Sequence, residues 1–136
     1  MPAFTTEAAV RLKFQIEDTA VSAALVEQSI ADAHTEVLAR LDPATDTENP
    51  DDALVLGETL LAGAHLLAAL ASCDAFTARP IALGGQRVEA GQRFASLLAI
   101  AAKARREAWR TLAPYLAAHP PTLAGTATES TAILGD

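Results

Sequence analysis

Residues 52–71 constrain this chain more than any other segment. Leu54, Leu56, Leu60, Leu61, Leu66, Leu67 and Leu70 surround a single helical stretch, and Glu58 is the only acid in it after its start. A helix that is apolar on every side must be enclosed by other elements, so 52–71 is expected to be the most buried segment. Gly57 and Gly63 each cost about 1 kcal/mol of helix propensity relative to alanine. Close approach by a neighbouring helix is the expected compensation. At 136 residues the chain suits one domain with one core. Hydrophobic residues make up 51% of it but aromatics only 4%. An alanine- and leucine-rich core of that kind suits closely packed helices and disfavours a β-sandwich.

The other elements are read from periodicity and punctuation. Thr5 or Thr6 caps a first helix reaching about Phe14, with Glu7 in its first turn. A second helix starts at Asp18 or Thr19 and runs to about Leu41. Val21, Leu25, Ile30, Val37, Leu38 and Leu41 supply its apolar positions, with Glu27, Asp32, Glu36 and Arg40 opposite. Two prolines and several cap-forming residues make 42–50 a loop. Asp51 or Asp52 caps the third helix. Residues 72–92 are expected to be irregular, with one short strand over Gln86-Arg87-Val88-Glu89 and a turn at Gly84-Gly85. The last helix is placed at 92–118. Phe94, Leu97, Leu98, Ile100, Ala101, Ala104, Ala108, Leu112 and Leu116 form its buried side, Trp109 and Tyr115 act as larger anchors, and Pro114 kinks or restarts it. The division is thus a helical domain over 1–118 and a tail or docking arm over 119–136. The fold class is an all-α bundle of about four helices with an irregular loop or short β arm.

Recognisable chemistry is sparse. His34, His65 and His119 lack helical metal-ligand spacing. His65 reads as a packed or hydrogen-bonded side chain, His34 as a surface residue within reach of Glu27 or Asp32, and His119 as a helix-end residue. Cys73, the one cysteine, has no histidine motif beside it and reads as a buried or incidental thiol. Ser72 and Ser96 lack a nucleophile elbow, and Gly84-Gly85 lacks the flanks of a phosphate-binding loop. Glu36 and Glu58 lie on different helices, and their separation is not legible from sequence. No catalytic residue, metal site or cofactor is expected, and the chain is read as non-enzymatic. No basic-then-apolar leader is seen, and the apolar run 60–72 is too short to span a bilayer.

Charge is segregated. Residues 1–78 carry 13 acids and 3 bases, net −10, whereas 79–110 carry 7 bases and 2 acids, net +5; the whole chain is −7. Opposite charges on separate faces suit head-to-tail association. Lys103, Arg106 and Arg110, with Arg105 beside them, form a basic run; 103, 106 and 110 share one helical side and can meet phosphate or an acidic partner, the plain alternative being solubility and intrachain pairing.

The helical region ending at Arg40-Leu41-Asp42, the apolar helix Ala53 to Ala71, the glycine-containing loop 79–91 and the helix with Ala104-Arg105-Arg106-Glu107-Ala108-Trp109 together resemble the head–tail connector, or adaptor, proteins of tailed bacteriophages. The resemblance covers about residues 6–118 and is one of architecture rather than of a motif. It implies a structural subunit that joins a portal ring to tail or stopper proteins. It also implies a homo-oligomeric ring, twelve-fold in that family, with DNA passing through non-specifically. The implied location is the virion head–tail junction, with assembly in the host cytoplasm and no membrane. Residues Arg79, Arg87, Arg105, Arg106, Trp109, Arg110 and Tyr115 are the subunit-interface candidates. Gly84, Gly85, Gln86, Arg87, Val88 and Glu89 form the candidate channel loop. The alternative reading is a small helical DNA-binding or regulatory module.

Overall fold

The computed structural model describes residues 2–77, 81–83, 86–88 and 90–117, with the side chains of 2–73 and 93–117. Four helices carry the fold: α1 (Glu7–Phe14), α2 (Ala23–Arg40), α3 (Asp52–Thr77) and α4 (Ala90–Leu112). Two three-residue strands, β1 (Ile81–Leu83) and β2 (Gln86–Val88), pair antiparallel between α3 and α4, and a 3-10 turn covers Ala113–Tyr115. The protein is a small all-α bundle with a short two-stranded arm.

The central helix is α3, against which α1, α2 and α4 all pack. Leu54, Leu60, Leu61, Leu66, Leu67 and Leu70 are buried on it, as the apolar pattern requires. Leu56 is the exception and stays 40% exposed. Both glycines mark close approaches. A Cβ on Gly57 would run into Leu112 of α4, and one on Gly63 into the ring of Phe14 of α1. Among the described residues, α3 is the one helix long and apolar enough to cross a membrane, beyond the 60–72 run read from sequence. That segment is two-thirds buried within this chain, as a core helix is.

The start of α1 follows its caps: the Thr6 side chain accepts from Ala9 N at 3.2 Å. Its end is a left-handed Gln15 (φ 56°), with the Gln15 and Ile16 amides donating back to Leu12 and Arg11 carbonyls. Such a position favours glycine. Gln15→Gly is therefore expected to raise stability by about 0.5 kcal/mol, read as a higher urea midpoint; a lower one would contradict this account.

Helix α2 begins at Ala23 rather than Asp18. The reason is Arg11, which is buried and uses the intervening carbonyls. Its Nη1 donates to Glu17 O (3.0 Å), its Nη2 to Val21 O (2.7 Å), and its Nε to Glu7 (2.8 Å). Ser22 then caps the helix by accepting from Leu25 N. The α2 core row is Val26, Ile30, Ala33 and Val37; Leu38 is turned outward and is 38% exposed. In the 42–50 loop, Asp42 accepts from Ala44 N, and Asp46 from Glu48 N and Asn49 N. These are the local turns that short acidic side chains favour.

Helix α3 continues through 72–77, against the expected irregular stretch, because no glycine or proline interrupts it before Pro80. Helix α4 starts at Ala90 and stops at Leu112 rather than near 118, where Pro114 opens the 3-10 turn. Its buried row is Arg93, Leu97, Ala101, Ala104, Ala108 and Leu112. Phe94, Leu98 and Ile100, expected in that row, are 42%, 41% and 43% exposed. The three alanines bring α4 so close to α3 that only a narrow stripe is covered. Beyond the turn, the chain doubles back onto α2: Leu116 bridges Leu41, Asp42 N donates to Tyr115 O and Ala117 N to Arg40 O. Residues 118–136, including His119 and the arm, lie outside the described residues.

Candidate functional site

Two polar clusters cross the helix contacts. The first centres on Glu58, fully buried in the second turn of α3. Its Oε2 accepts from Phe4 N (2.6 Å) and Thr5 N (3.0 Å), and its Oε1 lies 2.7 Å from His34 Nδ1 on α2. Thr5 and Thr59 hydroxyls pair beside it at 2.6 Å. Phe4 sets its ring edge against His34, with centroids 4.9 Å apart. A buried carboxylate costs several kcal/mol unless donors satisfy it; here two backbone amides and an imidazole do so. His34 is thus a core residue, contrary to the surface placement near Glu27 or Asp32. The one acid after the start of the apolar 52–71 stretch carried the signal that a partner was needed, but not which one. With both side chains sealed from solvent, the pair anchors the N-terminal segment and α2 to α3.

The second cluster joins α2, α3 and α4. Glu36 Oε1 is 2.8 Å from His65 Nε2, and Glu36 Oε2 pairs with Arg105 Nη2. One turn further, Arg40 stacks over Trp109 at 4.4 Å from the ring centre, a cation–π contact. Burial alone would raise the Glu36 pKa, but hydrogen bonds and charge from Arg105 and His65 outweigh it and hold the carboxyl below its ordinary value. A lowered folded pKa contributes stability above the unfolded value of about 4.3, and that contribution is lost as pH falls through the folded value. Glu36→Gln is therefore expected to flatten the fall of the urea midpoint as pH drops below the unfolded value of about 4.3. An unchanged acid limb would show that the Glu36 charge contributes nothing.

The predicted site residues separate into distinct groups. Arg105 pairs with Glu36 within the chain, the intrachain pairing that is the plain alternative for the basic run, and its side chain stays 43% exposed. Trp109 is half-buried beneath Arg40 and also packs on the core edge. Tyr115 is half-buried; its hydroxyl donates to Asp51 at 3.1 Å. Lost solvation, then the Asp51 hydrogen bond and charge, push its pKa up. Lys103, Arg106 and Arg110 are all exposed. Gln86, Arg87 and Val88 form β2, whereas Arg79, Gly84, Gly85 and Glu89 fall outside the described residues. Cys73 is exposed, hence an incidental thiol rather than a buried one. Glu36 and Glu58 each take a separate histidine. Among the described residues no group of three or more His, Cys, Asp or Glu side chains could hold a metal ion.

Sequence reasoning missed the uncovered apolar surface. Leu12 is 81% exposed, and with Ala9, Lys13, Asp52, Val55 and Leu56 it lines a groove of about 460 Å³ between α1 and α3. A second recess, about 530 Å³, lies against Ala102, Arg105, Arg106 and Trp109. The signal for Leu12 was present, since it sits opposite the Val10 and Phe14 side of a two-turn helix.

No protein family, curated protein or solved structure matches this chain.

Proposed function

We propose that this protein is a structural head–tail connector subunit of a tailed bacteriophage, joining a portal ring to tail or stopper proteins around passing DNA. The observation that supports this reading best is the α3–α4 hairpin with the β1–β2 pair between its helices. It gives the chain a paired element between α3 and α4 where the resemblance has its channel or subunit loop. Exposed Leu12, Leu56, Phe94, Leu98 and Ile100 add apolar surface that this chain does not cover itself, a mark of interaction surfaces. The −10 charge of 1–78 against +5 over 79–110 suits a heterologous contact between successive copies, the kind that closes into a ring. Arg106 and Arg110 are available for that contact. Twelve copies, the site at the virion head–tail junction and assembly in the host cytoplasm come from the resemblance alone. An acidic lining would let DNA pass without sticking.

Electron microscopy of the chain with its portal and tail components tests the proposal. A ring between portal and tail is the expected result; exclusion from particles that incorporate the other connector components would reject it. The exposed row Lys103, Arg106 and Arg110 favours a second reading, a DNA-binding or regulatory module. Gel-shift titration separates the two. Weak, non-saturating binding is expected of a passive channel. Saturable binding that weakens steeply with salt and is lost when the three residues are neutralised would favour the second reading.

A further inference from the structure

The groove between α1 and α3 is apolar and open, with Leu12 81% exposed at its edge. An aliphatic side chain standing that far into water favours a cover. The described chain leaves off close by. The Tyr115 hydroxyl is hydrogen-bonded to Asp51, and the next residue, Asp52, lines the groove. Ala117 is tied by its amide to Arg40 O. Nineteen residues, 118–136, follow. After Pro120-Pro121 their only adjacent pair of large aliphatics is Ile133-Leu134, preceded by Ala132. The 16 residue-to-residue steps from Ala117 to Ile133 can span about 50 Å when extended, ample to return to a groove that begins one residue from Asp51. The segment holds Glu129 and Asp136 but no lysine or arginine; the groove presents one base, Lys13, and one acid, Asp52, so reach and apolar match rather than net charge favour the segment.

We infer that in the free chain the Ala132-Ile133-Leu134 stretch docks into this subunit's own α1–α3 groove, covering Leu12, Val55 and Leu56. The inference concerns the unassembled chain and stands independently of the connector reading. If that reading is also right, the arm hides an interaction surface until a partner displaces it.

Disulfide trapping in the full chain tests this. With Cys73→Ser as background, Leu12→Cys is combined with Ile133→Cys and oxidised at low micromolar concentration. The expected product is an intrachain disulfide, a monomer with both thiols lost. It should form at least about tenfold faster than from Leu38→Cys with Ile133→Cys, since Leu38 is exposed on α2, away from the groove. Equal rates for the two pairs would mean a freely roaming arm and would overturn the inference. Predominantly covalent dimers would do the same, by assigning the groove to a second copy. As an independent reading, removing residues 131–136 should raise the maleimide reactivity of a single Leu12→Cys several-fold. Unchanged reactivity would show that the stretch leaves Leu12 uncovered.

Discussion

Glu58→Ala should lower the unfolding free energy by several kcal/mol, because it leaves buried hydrogen-bonding partners unmet at about 1–3 kcal/mol each. The carboxylate is the acceptor for Phe4 N and Thr5 N and the partner of His34. Its removal strands these groups in an apolar interior. Glu58→Gln should cost less, because its amide carbonyl can still accept from a backbone N–H. The variants should also differ in hydrogen exchange: the Phe4 and Thr5 amides should lose protection in Glu58→Ala before the α3 interior does. Urea unfolding gives the magnitude. A loss below about 1 kcal/mol, within the range of an ordinary hydrogen bond, would mean that the N-terminal segment is held by Phe4 packing and not by the carboxylate.

Gly57→Ala should destabilise the fold by about 1–3 kcal/mol, the usual cost of overpacking a core. This is expected even though alanine adds about 1 kcal/mol of helix propensity. The new methyl would overlap Leu112 at its branch carbon, and Leu112 is fully buried, so neither side chain nor helix has room to yield. Gly63→Ala meets the far edge of the Phe14 ring instead. Phe14 is only half-buried and can swing toward solvent, so this variant should be closer to neutral. The same physical distinction predicts coupling. Leu112→Ala should be less damaging in the Gly57→Ala background than alone, giving a favourable interaction energy in a double-mutant cycle. Additive effects would show that α3 and α4 do not meet at Gly57.

Much of the helix framework is legible along the chain. The Thr6 cap, the apolar α3 and the turn-rich 42–50 segment are local properties, set by side-chain chemistry within a few residues. Element ends were less legible. The start of α2 depends on Arg11 claiming the carbonyls of Glu17 and Val21 from an earlier helix. Periodicity along 18–23 holds no trace of that contact. The candidate site was harder still. Arg105 reads as a basic residue without a named partner until Glu36, 69 positions away, is placed against it.

Sequence by itself determined that the chain is helical, that 52–71 lies at the centre, and that Gly57 and Gly63 need close neighbours. Each follows from the kind and spacing of side chains on one helix. Tertiary structure alone decided which neighbour meets each glycine, that His34 rather than solvent satisfies Glu58, and that Phe94, Leu98 and Ile100 are left outside the core. A helix with apolar residues on several sides is compatible with several buried stripes. The alanines at 101, 104 and 108 select one only because α3 can approach them closely.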